Sequence, residues 1–145
     1  MSVTLIVDGA NVMGSRADGW WRDRPGAMAR LHGELATLAT RGIDGPVPGE
    51  PEAGETGAPE AGDRWFPDIV LVVEGRACKV LDLVSPAPAV RVVAARGGGD
   101  DEIADLAGRL TGQRVVVTAD RELRRRVTTA GAAVTGPGWL LRQFR

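Results

Sequence analysis

Cysteine and histidine are almost absent from this sequence, which has only Cys78 and His32. A lone cysteine cannot form an internal disulfide, and one thiol with one imidazole cannot complete a Cys/His zinc site. The chain also lacks an apolar run of the roughly 18 residues that a membrane-spanning helix needs, and its first residues lack the basic stretch of a signal peptide. These absences predict an untargeted cytoplasmic protein with no membrane partner.

An excess of charge of one sign is also missing, because 18 basic and 19 acidic residues leave a formal net charge of -1. The distribution is nevertheless uneven. Residues 42–63 carry six acids and no basic residue, whereas residues 109–145 carry eight arginines against Asp120 and Glu122. This asymmetry favours a nucleic-acid partner for the basic part of the chain and a solvated role for the acidic part.

The remaining composition is that of one soluble domain: 145 residues, 43 % hydrophobic and 26 % charged. One stretch differs, since residues 48–62 contain only Pro, Gly, Glu, Ala and one Thr. No side chain in this stretch could bury enough apolar surface to offset the entropy of ordering the chain. We therefore predict a single domain over residues 1–145 in which residues 43–63 form a disordered, acidic, low-complexity insertion loop.

Outside this loop, short runs rich in β-branched residues alternate with apolar residues at helical spacing, which is typical of βαβ units. Strands are predicted at 4–7, 69–73, 90–94 and 115–118, with a weaker one at 132–135. Helices are predicted at 28–38, 103–110 and 123–130, with a short one at 76–84. Continuously hydrophobic strands are covered on both faces. The pattern predicts an α/β fold, a doubly wound domain around a parallel sheet of about five strands.

An acidic residue follows each of the first four predicted strands, namely Asp8, Glu74, the pair Asp100 and Asp101, and Asp120. Because the carboxyl ends of parallel strands meet at one edge of a sheet, we expect these acids to lie together. Each also has a purely structural explanation. Asp8 precedes a glycine and suits a turn, Glu74 suits a solvated turn, and the remaining acids suit helix N-termini.

Carboxylates that converge at one edge repel one another and raise one another's pKa unless a cation compensates. Oxygen ligands without cysteine or histidine suit Mg²⁺ or Mn²⁺. The implied chemistry is metal-assisted attack of water on a phosphodiester or phosphoanhydride. The sequence has neither a G-x-G-x-x-G motif nor a G-x-x-x-x-G-K-[ST] loop, so the common nucleotide-cofactor folds are not indicated.

Three short motifs resemble those of NYN domains, a PIN-like ribonuclease group that includes the YacP-like branch. Residues 7–12 (VDGANV) resemble the opening D-G-x-N motif, residues 99–103 (GDDEI) resemble the helical acid motif, and residues 117–120 (VTAD) resemble the [ST]-x-D motif after the fourth strand. The resemblance covers the chain outside the insertion loop. It implies a PIN-like sheet of five parallel strands in the order 3-2-1-4-5.

The same resemblance implies the site residues. Asp8, Asp101 and Asp120 would be catalytic and hold the metal, with Asp100 as an additional metal-binding acid. Asn11 would be a further catalytic residue that orients a metal-bound water or a phosphate. The implied activity is endonucleolytic hydrolysis of RNA by a metal-activated water, which leaves a 5′-phosphate and a 3′-hydroxyl.

Further residues are candidates for substrate binding. By the resemblance, Thr118 would support a bound water or phosphate much as Asn11 does. The arginines after Asp120 could hold RNA phosphates or form a solvated helix face; they are Arg121, Arg124, Arg125 and Arg126. Trp20 or Trp21 could stack on an unpaired base or pack in the core or a lid.

One departure from the family pattern matters, because Arg124 stands where many PIN-like nucleases carry a further acid. The leading hypothesis is a Mg²⁺- or Mn²⁺-dependent ribonuclease acting on single-stranded RNA or structured RNA loops. A nucleotide pyrophosphohydrolase using the same metal site is an alternative, and Arg124 motivates another, a catalytically weak RNA-binding module.

Overall fold

The structure is a computed structural model, and it describes residues 3–49, 64–84 and 87–145. In chain order the elements are β1 (Val3–Asp8), α1 (Gly9–Gly14), α2 (Arg24–Arg41), β2 (Ile43–Asp44), β3 (Arg64–Trp65), β4 (Asp68–Val73), β5 (Val90–Ala94), α3 (Gly99–Arg109), β6 (Gln113–Val117), α4 (Arg121–Thr129), β7 (Ala133–Thr135) and α5 (Pro137–Gln143). Short 3-10 segments occupy Trp20–Arg22 and Gly75–Asp82.

The main sheet contains five strands in the order β5-β4-β1-β6-β7. Counted along the chain within this sheet, that order is 3-2-1-4-5, so the predicted α/β fold and strand order are confirmed. Every pairing in the sheet is parallel, and β1 is central, with Ile6 aligned to Val70 on one side and to Val116 on the other. The carboxyl ends of all five strands therefore lie at one edge.

Helices cover both faces of the sheet, which explains the continuous hydrophobicity of its strands. Leu5 and Val7 point into a core shared with α1, α2 and α5. Ile6 points into a second core with Ile103 of α3 and Leu123 of α4. All five of these side chains are at most 1 % exposed. The middle of β1 is thus buried on both faces of the sheet, whereas Thr4 and Asp8 are partly exposed.

Local structure differs from the sequence expectations in three places. The residues after Asp8 form the short helix α1 rather than an open turn, and the segment predicted as a short helix at 76–84 is a 3-10 segment at Gly75–Asp82. Helix α5 is an addition to the expected elements, because its seven residues are too few to show a helical period, although Pro137 in its first turn is a helix-start signal. Short helices depend on tertiary packing more than on their own propensity.

The start of the predicted insertion loop is placed in the structure. Ile43–Asp44 pairs antiparallel with Arg64–Trp65, and Asp44 forms a bidentate ion pair with Arg64 at 2.9 and 3.0 Å. Ile43 and Val47 are buried at 2 % and 5 % exposure. These two apolar side chains attach the beginning of the segment to the core. Residues 50–63, which hold most of the low-complexity stretch, lie outside the described residues.

No helix in the described part of the chain is both long enough and apolar enough to cross a membrane.

His32 on α2 makes the stability of the fold dependent on pH. The side chain is 5 % exposed, and burial lowers the pKa of its imidazole below the ordinary value of 6.5. His32 and Arg91 both line a cavity of about 250 Å³. The unfolded chain therefore takes up a proton first as the pH falls, so the contribution of neutral His32 is complete above pH 6.5 and is lost below it.

We expect the free energy of unfolding to fall more between pH 7.5 and pH 5.5 in the wild-type protein than in His32→Gln, whose side chain stays neutral. The difference arises from the single proton that the imidazole of the unfolded wild-type chain takes up. Urea denaturation at the two pH values measures this difference. Because every other titrating group is common to both proteins, parallel pH dependences would show that His32 does not contribute.

Candidate functional site

Asp8 ends the central strand β1 and begins the helix that follows it. Its Oδ1 accepts a hydrogen bond from the backbone N–H of Asn11 at 3.3 Å, which caps α1, and its Oδ2 accepts one from the Thr118 hydroxyl at 2.9 Å. Thr118 follows β6, the strand next to β1. Both carboxylate oxygens of Asp8 are thus held in place from two different loops.

Thr118 links the end of β1 to the loop that follows β6. It is fully buried, and its Oγ1 both donates to Asp8 and accepts the backbone N–H of Asp120 at 3.2 Å. Asn11 adds a second link, since its Oδ1 accepts the backbone N–H of Ala119 at 2.9 Å. The two adjacent strand ends are therefore locked together, and Thr118 acts on the site through Asp8 and Asp120.

Three carboxylates lie near one another where β1, β4 and β6 end. Partial burial raises the pKa of Asp8, hydrogen bonds from Thr118 and Asn11 lower it, and the negative charges of Glu74 and Asp120 raise it further. The net effect is a raised pKa, so the ionised form of Asp8 is disfavoured. We call this group, Asp8, Glu74 and Asp120, the acidic edge.

The other two acids of this group also cap helices. Asp120 Oδ1 accepts the backbone N–H of Leu123 at 3.0 Å and so caps α4. Glu74 Oε2 accepts the backbone N–H of Gly99, the first residue of α3. The structural and the functional explanations that the sequence left open are therefore compatible, because a capping carboxylate keeps free lone pairs. Glu74 was absent from the predicted site residues, although its place directly after a strand was a usable signal.

Asp100 and Asp101 are arranged differently. Both are exposed at the start of α3, and both pair with Arg126 of α4, whose Nη1 lies 3.0 Å from Asp101 Oδ1 and 3.9 Å from Asp100 Oδ2. Neither acid is among the groups that shift the pKa of Asp8. The structure thus pairs these two predicted metal ligands with a cation of the chain itself. Within residues 3–49, 64–84 and 87–145, no three acidic, histidine or cysteine side chains are grouped closely enough to hold a metal ion.

The arginines of α4 have distinct environments. Arg124 is half-buried, and its Nε donates to the backbone carbonyl of Thr118 at 2.9 Å, so it braces the loop that carries Asp120. Arg121 and Arg125 are exposed and form no ion pair within the described part of the chain. These two are available to bind phosphates, whereas Arg124 has a structural partner.

The two adjacent tryptophans also differ. Trp20, the predicted stacking residue, is half-buried and packs against the core. Trp21 is 57 % exposed. The structure therefore leaves Trp21 more accessible to a ligand than Trp20.

A cavity of about 470 Å³ opens beside the acidic edge, on the side of α1 and α5. Its lining consists mostly of small residues, namely Ala10, Asn11, Gly14, Ser15, Ala119, Pro137 and Gly138. Two of these residues connect the cavity to the acidic edge, because the Asn11 N–H donates to Asp8 and Ala119 directly precedes Asp120.

No known family profile matches the sequence, and no curated protein matches it significantly. Solved structures do match. The crystal structure of Rae1 (YacP) from Bacillus subtilis superimposes with a TM-score of 0.68 at 19 % identity, covering 97 % of this chain and 72 % of that chain. The W164L mutant of the same protein superimposes with a TM-score of 0.66 at 18 % identity, covering 99 % and 75 %. The resemblance to the YacP-like branch is thus confirmed at the level of the fold.

Proposed function

We propose that this protein is a metal-dependent endoribonuclease that hydrolyses RNA at the acidic edge, Asp8, Glu74 and Asp120. The observation that carries the proposal is the convergence of these carboxylates where three neighbouring parallel strands end, close enough that two of them raise the pKa of Asp8. In parallel α/β sheets this edge is where ligands bind. The NYN-like motifs that contain Asp8 and Asp120 support RNA as the substrate, and the fold shared with Rae1 (YacP) is consistent with that resemblance.

A hydrated Mg²⁺ or Mn²⁺ suits the donors that are present. Mg²⁺ is commonly held by one or two carboxylates and completes its coordination with waters and substrate phosphates, so it does not require a cage of three protein ligands. Asp8 and Asp120, which follow adjacent strands, would hold the ion, and Glu74 would face it from β4. When bound, the ion would neutralise the acidic edge and supply Lewis-acid activation of water.

The surrounding residues would position the reacting groups. Thr118 and the Asn11 backbone fix both oxygens of Asp8, so its remaining lone pairs keep one orientation. The Asn11 side chain is fixed through its Oδ1, which leaves its amide N–H groups as the donors for a phosphate oxygen. Arg121 and Arg125 would bind phosphates farther along the strand by charge.

Asp100 and Asp101 would contribute to the metal site only after their ion pairs with Arg126 open. Both pairs are exposed, and exposed ion pairs contribute little to stability. An RNA phosphate that attracts Arg126 would therefore release both acids at small cost. In this proposal Arg126 neutralises the two acids while no RNA is bound.

A catalytically weak RNA-binding module is a second candidate, and two contacts favour it. Arg126 forms an ion pair with Asp101. Arg124 stands where many PIN-like nucleases carry an acid, and it donates a hydrogen bond to the Thr118 carbonyl. Such a protein would retain the basic surface of α4 without assembling a metal site.

Incubation of the purified protein with end-labelled single-stranded and structured RNA tests the proposal. We expect cleavage with Mn²⁺ or Mg²⁺, products with a 5′-phosphate and a 3′-hydroxyl, and no cleavage in EDTA. Failure to cleave in either metal, together with calorimetry that detects no Mn²⁺ binding and salt-sensitive RNA binding, would identify the binding module. Release of pyrophosphate from nucleoside triphosphates without RNA cleavage would instead identify a nucleotide hydrolase.

A further inference from the structure

The 3-10 segment Trp20–Arg22 and the first residue of α2, Arg24, bring two indoles and two guanidinium groups together. The rings of Trp20 and Trp21 meet edge to face, with their centroids 6.0 Å apart and their planes at 89°. The Arg22 guanidinium lies 5.7 Å from the centre of the Trp21 ring, and that of Arg24 lies 5.6 Å from the centre of the Trp20 ring. We call these four residues the indole–guanidinium patch.

Trp21 is held in place but not covered. The Trp20 ring meets it at a right angle and the Arg22 guanidinium lies over its ring, yet 57 % of the residue remains exposed. Large exposed aromatic side chains are characteristic of binding surfaces, because leaving them in water forfeits the gain from burial. More than half of Trp21 is thus accessible, and this exposed part of its ring, which we call its open face, is available to a flat ligand.

The two arginines of the patch keep their hydrogen-bonding capacity. Neither Arg22 nor Arg24 forms an ion pair within the described residues. The nearest acids in sequence are otherwise engaged, since Asp23 accepts the N–H of Gly26 to cap α2 and Asp18 pairs with Arg30 at 3.1 Å. A guanidinium that stacks on an indole still presents N–H donors at its edge, and these match phosphate oxygens.

The patch continues the cavity that adjoins the acidic edge. Gly14 lines this cavity together with Asn11, and a Cβ at Gly14 would lie 3.8 Å from Cζ2 of Trp20. One path therefore runs along α1 from Asp8 past Asn11 and Gly14 to the tryptophans. A flexible polyanion could follow this path from the acidic edge to the patch.

We propose that the indole–guanidinium patch binds an unpaired base of single-stranded RNA, stacked on the open face of Trp21, with the flanking phosphates held by Arg22 and Arg24. This inference rests on the proposed function in so far as the same strand reaches the acidic edge. Stacking on an indole tolerates any base, because every base has a π face, but it excludes bases that are already stacked in a duplex. The patch thus selects single-stranded RNA without selecting a sequence.

Fluorescence anisotropy in EDTA tests the inference without cleavage. The probes are a labelled, unstructured 12-nucleotide RNA and an abasic strand of the same length and charge. We expect Trp21→Ala to weaken binding of the RNA by about 5- to 150-fold and binding of the abasic strand less than about twofold. Trp21→Phe keeps a stacking surface and should retain most of the affinity. Phe66→Ala is the matched control, because Phe66 is 58 % exposed and lies outside the patch.

Two results would overturn the inference: wild-type affinity of Trp21→Ala for the RNA, or an equal loss for the RNA and the abasic strand. Trp21-dependent binding by a protein that cleaves no RNA would support the patch and reject the nuclease. Metal-dependent cleavage by a protein whose RNA binding does not depend on Trp21 would support the nuclease and reject the patch. The melting temperature of Trp21→Ala should match that of the wild type, since the side chain is exposed, and Trp21→Phe gives an independent comparison if it does not.

Discussion

Replacement of Asp8 by asparagine is expected to reduce metal-dependent RNA cleavage by about 10³-fold or more and to leave the fold intact. Asparagine has nearly the same shape, and its Oδ1 can accept the hydrogen bond from the Asn11 backbone N–H. Its amide N–H can donate to the Thr118 hydroxyl, which then accepts instead of donating. It lacks the negative charge that would hold the cation. Because burial and two neighbouring acids already disfavour that charge in the folded protein, its removal should not lower the melting temperature.

Cleavage rates at saturating Mn²⁺ and thermal unfolding curves of the same preparations measure the two effects. Asp105→Asn is the matched control, since Asp105 is an exposed acid on α3 whose ion pair is with Arg109 on the same helix. Cleavage by Asp8→Asn at the wild-type rate would point to a contaminating nuclease and remove Asp8 from the mechanism. An equal loss in Asp105→Asn would show that the effect is not specific to the site.

The same assay compares the two sets of acids. Glu74→Gln can keep its hydrogen bond to the Gly99 N–H and yet loses charge at the acidic edge. Asp101→Asn removes charge from an exposed ion pair with Arg126. Since Glu74 is coupled to Asp8 and Asp101 is not, the structure predicts the larger loss of activity for Glu74→Gln. The opposite order would indicate that Asp101, once RNA has drawn Arg126 away, contributes more to the metal site than Glu74 does.

Replacement of Gly9 by alanine is expected to lower the free energy of unfolding by about 3 kcal/mol or more. A Cβ at Gly9 would lie 2.6 Å from the backbone carbonyl oxygen of Val72 and 2.9 Å from Cε of Met28. Met28 can change its rotamer, but the Val72 carbonyl belongs to β4 and is fixed by the sheet, because Val72 is aligned with Asp8. The clash would separate α1 from β4 and displace Asp8.

Gly33→Ala provides the control within the same protein. Gly33 lies exposed in the middle of α2, and a Cβ there would have no atom within 4 Å. Alanine is the better helix former by up to about 1 kcal/mol, so this variant should be more stable than the wild type. Urea denaturation compares all three proteins. Equal stability of Gly9→Ala and the wild type would show that α1 does not pack this closely against β4.

Gly9 illustrates which local features a sequence can and cannot reveal. An Asp-Gly pair after a strand is typical of a turn, but Gly9 begins a helix and has no positive φ. Its small size is required by the approach of β4, a strand about sixty residues away along the chain. No local pattern contains this information, since the atom that excludes a side chain belongs to another element.

In the candidate site, too, some features could be predicted from the sequence and others could not. The placement of Asp8, Glu74 and Asp120 near one another could be predicted, because parallel strands bring their carboxyl ends to one edge. The place of Asp101 could not, because its environment depends on how α4 packs beside α3 and brings Arg126 to it. Trp20 and Trp21 are equivalent in sequence, yet one packs on the core and the other faces solvent.

The sequence by itself determined the α/β class, the parallel sheet and the edge at which the acids collect, because these follow from β-branched runs, helical periodicity and the rule that parallel strands end together. The strand order was implied by the resemblance of three motifs to those of NYN domains. Only the tertiary structure decided which acids are coupled, that Arg124 braces a backbone carbonyl, and that Trp21 is the open indole. Side-chain partners depend on distances between elements that are remote in the chain, and these distances exist only once the helices have packed on the sheet.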